Sequence, residues 1–197
     1  MTAPANDRSA AARQPRTGWA HELTGLDAAV YAAIATTPTP QLDRGLRLLS
    51  RAADHSKLSI AASALMAVAG GPRGRRAAIG GLASVAATSA VVNLLIKPVA
   101  RRRRPDRTAA SVPLVRQVPM PESRSFPSGH SAAGVAFASG ASRSLPAAGA
   151  PLYVLAAVVS YSRVHAGVHF PGDVVAGALI GVIIGDLTGG RLAGRWE

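Results

Sequence analysis

AAIGGLASVAATSAVVNLLI, residues 77–96, decides the fold class: 20 consecutive residues carry no charge, and the run stops at Lys97. A helix rising ~1.5 Å per residue needs about 20 such residues to cross the hydrocarbon core of a bilayer. Asn93 is its only strongly polar member and lies near the Lys97 end. Working outward, shorter apolar runs occupy residues 58–70, 131–141, 145–161 and 174–185, with a weaker one at 26–35 interrupted by Asp27. Singly, each suits a buried helix of a soluble protein. Together they leave too little polar surface to coat a soluble globule. Strand alternation and internal repeats are absent. The expectation is an all-α, polytopic membrane helical bundle with five to six transmembrane helices.

Residues 42–53 behave differently. Leu42, Leu46, Leu49 and Ala53 share one helical face, and Arg44, Arg47 and Arg51 the opposite one. Such a segment is either an interfacial amphipathic helix with its arginines toward lipid phosphates or an ordinary surface helix. Four prolines, Pro105, Pro113, Pro119 and Pro121, make residues 101–126 a loop. Residues 1–23 read as a disordered polar tail, 24–190 as the membrane domain and 191–197 as a short basic tail. Gly177, Gly181 and Gly185 recur every fourth residue, a groove that admits another helix closely. That helix belongs either to the same chain or to a second copy in a homodimer.

The chain carries 22 Lys+Arg against 10 Asp+Glu, a formal charge of +12. Such a balance suits nucleic acid, an anionic membrane or an acidic substrate. Nucleic acid fits worst, because the arginines sit between apolar runs and aromatics are only 4%. Cysteine is absent, so disulfides and Cys-ligated zinc play no part.

Three segments bear chemistry. His169 stands four residues before Asp173, a spacing at which the carboxylate can fix one ring nitrogen and leave the other to attack. A capping aspartate beside a satisfied histidine reads the same way. Arg163 closes the preceding helix at the same face. Pro127-Ser128-Gly129-His130 opens another helix: Ser128 suits an N-cap, the first-turn N–H groups cradle an anion, and Gly129 lets it come close. His130 stands at the edge of that cradle; a plain capped turn is the bland alternative. Lys97 ends the longest apolar run, and Arg104 closes a run of four arginines whose first three, Arg101 to Arg103, read as interfacial anchors. His165, Arg116 and Arg124 are secondary candidates near a head group, and Arg143, Arg191 and Arg195 anchors of the opposite face.

Lys97-x6-Arg104-Pro105, Pro127-Ser128-Gly129-His130 and Ser162-Arg163-x5-His169-x3-Asp173, in that order, resemble the three-part signature of the type 2 phosphatidic acid phosphatase superfamily. These are membrane lipid phosphatases whose site is shared with vanadium haloperoxidases. The resemblance implies that His169 is the nucleophile, forming a phosphohistidine, with Asp173 orienting and charging it. It implies that His130 protonates the departing alcohol and then helps activate water. Lys97, Arg104 and Arg163, with Ser128 and the Gly129 amide, would bind the phosphoryl oxygens. No metal or other cofactor is expected, since three cations fill that role.

The implied function is metal-independent hydrolysis of lipid phosphate monoesters or diphosphates, with membrane lipids as surroundings and no nucleic acid partner. The small, Arg-rich form resembles family members that dephosphorylate a decaprenylphosphoryl phosphoribose in cell-wall arabinan precursor synthesis. Phosphatidylglycerophosphate, phosphatidic acid and undecaprenyl diphosphate are the alternatives. A vanadate-dependent haloperoxidase shares the residues but belongs to a branch of larger soluble proteins, and a non-catalytic binder needs only the cations. The expected location is the bacterial plasma membrane. Counting positive charges puts the active-site face in the cytoplasm, whereas the resemblance implies an outward-facing site, which is the expectation adopted.

Overall fold

In the computed structural model, which describes residues 18–196, the described chain is all-helical. The helices are α1 (Trp19–Thr36), α2 (Pro40–Ala52), α3 (Lys57–Ala69), α4 (Gly71–Val99), α5 (Gly129–Ser142), α6 (Gly149–His165) and α7 (Pro171–Ala193). Within α4 the segment Val91–Ile96 winds as a π-helix. Three rods, Gly71–Val99, Pro146–His165 and Pro171–Ala193, are long and apolar enough to cross a membrane. The 13-residue α3 and the 14-residue α5 fall short of that length, because charged or helix-breaking residues bound their apolar runs on both sides.

α1 starts at Trp19, inside the stretch 1–23 read as a tail, and α7 runs to Ala193, past the expected boundary at 190. Residues 1–17, the rest of that expected tail, lie outside the described residues, as does Glu197. Asp27 does not interrupt α1, because its carboxylate accepts from the Gly172 N–H at 2.7 Å and from Arg102.

The glycine stripe explains how α7 sits. A Cβ at Gly177 would lie 2.5 Å from the Ser128 carbonyl oxygen, and one at Gly181 would lie 2.5 Å from that of Ala132. Backbone meets backbone there, and only hydrogen leaves room. Of the two partners that the spacing allowed, α5 of the same chain occupies the groove. The stripe is buried within the chain. Met66, Ala77, Val85, Phe137 and Ala141 form a core between α3, α4 and α5. The outer faces carry large apolar side chains in the open, among them Leu65, Val68, Leu94, Val154 and Leu179, a surface suited to lipid rather than water.

This alternation of up and down rods brings four termini to one end of the bundle: the C-termini of α4 and α6 and the N-termini of α5 and α7. α2 crosses that end. Its inward face holds buried Asp43 and Ser50, while Arg44 and Arg51 stay exposed. At the other end Arg143 donates from Nε to Asp186 at 3.1 Å.

Candidate active site

His169 lies in the short loop between α6 and α7 and is 2% exposed. Its Nδ1 faces Asp173 Oδ2 at 3.5 Å and has no closer partner, while Nε2 meets Arg104 Nη1 at 3.2 Å. Proline at the first turn of α7 and Asp173 at its third position make this geometry local: Asp173 Oδ2 accepts the Phe170 N–H at 3.0 Å, closing the helix start. Burial pushes the His169 imidazole down to about 4, Asp173 opposing and Arg104 and Arg163 reinforcing the shift. The ring is therefore neutral near pH 7, with a lone pair on one nitrogen.

Arg104 is held by its neighbours as much as it holds the histidine. Nε donates to Ser123 O at 2.8 Å and Nη1 to Val168 O at 2.7 Å. Lys97 Nζ donates to Ser123 Oγ at 3.2 Å, and a Cβ at Gly129 would stand 3.5 Å from that same Nζ. Lys97, Arg104 and the Gly129 turn thus share one pocket rim. Ser128 caps α5, accepting the Ser131 N–H on its Oγ at 3.4 Å and the Ser131 hydroxyl at 3.0 Å. Its own N–H donates to the Asp173 carbonyl at 2.9 Å, which ties the α5 start to the α7 start.

Arg163 reaches the site from the end of α6 and is 1% exposed. Nη1 donates to Ser50 Oγ at 2.8 Å and Ser50 O at 3.3 Å, and lies 3.6 Å from Asp54. Among the described residues Nε is buried without a partner and Nη2 makes no hydrogen bond. A buried guanidinium with unspent donors is poorly solvated and suited to an incoming anion. His130 Nε2 lies 3.0 Å from Asp54 Oδ1, so Asp54 links the second histidine to Arg163. The eight residues singled out by their motifs therefore stand together at one end of the bundle, and three of them, Lys97, Gly129 and His130, line a cavity there.

The family model for the PAP2 superfamily matches residues 78–188. The chain belongs to the PAP2 superfamily.

Two mycobacterial relatives carry the name decaprenylphosphoryl-5-phosphoribose phosphatase. The Mycolicibacterium smegmatis protein is 37% identical over 155 residues, which is 76% of this chain and 77% of the relative. The Mycobacterium tuberculosis protein is 38% identical over 109 residues, 53% of this chain; the chain spans only 58% of that relative's length. Among solved structures, a transmembrane PAP2-type phosphatidylglycerolphosphate phosphatase from Bacillus subtilis superposes with TM-score 0.65 at 24% identity, covering 86% of both chains. LpxE of Aquifex aeolicus gives TM-score 0.64 at 26% identity, covering 83% of this chain and 94% of that one.

Around these PAP2 signature positions stand residues that the motifs do not mark. Arg102 is not an interfacial anchor: Nη1 donates to Asp173 Oδ1 at 2.9 Å, Nη2 bonds Asp27, and the guanidinium stacks over Phe170 at 4.3 Å. Ser125 donates its hydroxyl to Asp173 Oδ2. Asp54 sits in the turn between α2 and α3, where His55 and Ser56 both adopt positive φ (56° and 57°), an arrangement costly for residues with a Cβ. The signal for these residues was faint: a polar Asp-His-Ser insert before an apolar run, and one arginine among four.

Arg116 and His165 are engaged away from His169 and Arg104. Arg116 is buried and spends its donors on Asp43 and on the carbonyls of Ile34, Ala35 and Thr37. His165 Nε2 meets Asp43 at 3.1 Å and Thr39 at 3.0 Å. Both fasten the α1–α2 corner to α6. Among the described residues, no group of three or more His, Asp or Glu side chains is arranged to hold a metal ion.

Proposed function

We propose that this chain is an integral-membrane lipid phosphatase that releases the 5-phosphate of decaprenylphosphoryl-5-phosphoribose through a phosphohistidine on His169. The observation that carries the reading is the position of His169, neutral and buried, between Asp173 and Arg104, next to a guanidinium, Arg163, with donors to spare. The substrate is taken from the mycobacterial relatives' name and their 37–38% identity.

In the first step the Nε2 lone pair attacks phosphorus and the bond to the ribose oxygen breaks. Arg104 lets go of Nε2 and, with Arg163 and Lys97, takes the phosphoryl oxygens, whose charge spreads in transfer. Asp173, fixed by Arg102, Ser125 and the Phe170 N–H, holds Nδ1–H and balances the positive imidazole. His130, entering this step with both ring nitrogens protonated, gives its Nδ1 proton to the departing alkoxide and is left neutral. Asp54 engages its Nε2, which leaves Nδ1 as the free nitrogen of that ring. In the second step His130 takes a proton from water, the hydroxide attacks phosphorus, and the P–N bond breaks to return His169. Ser128 and the Gly129 amide support the same oxygens from the start of α5.

The membrane arrangement follows the same reading. α4, α6 and α7 span outright; α3, α5 and α1 complete a set of five to six spans, and α2 lies in the head-group layer with Arg44 and Arg51 toward lipid phosphates. The domain runs from about the start of α1 to the end of α7, in a bacterial plasma membrane with the site on the outer face.

Purified protein in detergent or nanodiscs, given decaprenylphosphoryl-5-phosphoribose, phosphatidylglycerophosphate, phosphatidic acid and undecaprenyl diphosphate, should release phosphate fastest from the first. Preference for a glycerolipid would overturn the substrate but not the chemistry. Absence of release from all four would overturn both.

A further inference from the structure

A cavity of about 230 Å³ leads from Lys97, Gly129 and His130 into the bundle between α3, α4, α5 and α6. Its two walls differ. Phe137, Leu152, Leu155 and Val159, from α5 and α6, make one side apolar. Asn93 and Ser89 of α4 and Ser59 of α3 line the other, and none of these three side chains makes a hydrogen bond within the described residues.

The polar wall is anomalous for its setting. Asn93 is the strongly polar residue in an otherwise apolar spanning segment, a substitution that costs free energy in hydrocarbon unless it serves a site. It lies in the π-helical turn of α4, an irregularity that recurs at functional sites. Lys97, Asn93 and Ser89 follow one another at intervals of four residues, so they descend one face of α4 from the phosphate rim. All three line the cavity, Asn93 nearer to Lys97 along the helix and Ser89 further from it. A lipid tail alone would be better received by apolar side chains on both walls.

We propose that this polar wall is a sugar subsite: Asn93, Ser89 and Ser59 hydrogen-bond the hydroxyls of a pentose that joins the scissile phosphate to the lipid. The proposal rests on the substrate reading above and adds the residues that select it. The amide of Asn93 offers both a donor and an acceptor, and each serine hydroxyl offers both, as vicinal hydroxyls require. The lipid continues along Phe137, Leu152 and Leu155. Asn93 is exposed and Ser89 and Ser59 half-buried, all three open to the cavity. A site built to bond hydroxyls favours a ligand that carries them over one that lacks them.

The test compares kcat/KM on decaprenylphosphoryl-5-phosphoribose with that on decaprenyl monophosphate, for wild type, Asn93→Leu, Asn93→Gln and Asn93→Leu/Ser89→Ala. Wild type should favour the sugar-bearing lipid. The preference should fall about 10-fold in Asn93→Leu, further in the double variant, and recover in part in Asn93→Gln. The monophosphate arm of each assay reports that the variant is folded. Wild type that turns over the monophosphate but not the phosphoribosyl lipid overturns the substrate reading and the subsite with it. Wild type that prefers the phosphoribosyl lipid, with a preference unmoved in Asn93→Leu and the double variant, overturns the subsite alone.

Discussion

Two arginines, Arg116 and Arg163, are each 1% exposed, yet their surroundings differ in kind. Arg116 faces Asp43 and three backbone carbonyls, and each of its nitrogens has a partner. Arg163 has Ser50 and a distant Asp54 on one nitrogen, while Nε is buried with nothing to bond among the described residues. A buried charge is stable when its donors are all met and its counter-ion is close. The first arginine is a fastening that locks α1 and α2 to the loop. The second is held in place by the fold but left electrostatically incomplete, the condition in which a phosphoryl group is the best available partner. Burial alone would have equated the two; the count of spent donors separates them.

The contrast is broken or sharpened most strongly by exchanging each arginine for methionine. Arg116→Met leaves the Asp43 carboxylate buried beside His165, and should cost about 3–5 kcal/mol of stability. Its folded fraction should keep kcat/KM within about tenfold of wild type. Arg163→Met should do the reverse: stability within ~1 kcal/mol, since Asp54 keeps His130 and partial solvent contact, but a loss of about 10²–10³ in kcat/KM. Chemical denaturation in detergent, alongside phosphate release, reads both. Equal effects on stability from the two changes would remove the distinction.

Acid gives the next effect in size. His169 is held near 4 by burial, against ~6.5 in the unfolded chain. The unfolded state therefore binds the proton first as pH falls, so the part of the stability that His169 contributes declines from about pH 6.5 to 4, by roughly 3 kcal/mol at most, and is flat above. His169→Asn should flatten that part of the profile; an unchanged slope would mean that the ring is not kept neutral.

Vanadate, a mimic of the phosphoryl transition state, measures the unspent donors without turnover. At 100 times its Kd it should stabilise wild type by about 2.7 kcal/mol. Arg116→Met should keep that increment and Arg163→Met should lose most of it. Retention by both would place the anion elsewhere. The smallest effect belongs to Arg102, which supports Asp173 from a position 28% exposed. Arg102→Met should lower kcat about tenfold, with KM less affected, and Arg102→Lys should recover part of it, as expected for a positioning residue.

Much of this was legible in the letters, and for physical reasons. Periodicity and charge-free length speak directly of helices, so α4 and the alternating rods were readable from residues 77–96 outward. The motif residues sit at helix ends, and alternation of the rods carries them to one side. What escaped were contacts between residues far apart in the chain: Arg102 to Asp173 is 71 positions, His130 to Asp54 is 76 and Arg163 to Ser50 is 113. Asp43, flanked by Leu42 and Arg44, looked like one more polar residue on a surface helix; only the approach of the 101–126 loop reveals it as the counter-ion of Arg116. The glycine stripe told of a close neighbour without saying which, and packing chose α5.

The account turns on His169 taking the phosphoryl group. Single-turnover reaction with 32P-labelled decaprenylphosphoryl-5-phosphoribose, quenched in alkaline denaturant within milliseconds and mapped by mass spectrometry, tests this directly. The label should appear on the peptide containing His169, accumulate in His130→Ala as its second step slows, and vanish in His169→Asn. Phosphate release with no labelled protein at any time, or label on another side chain, would contradict it.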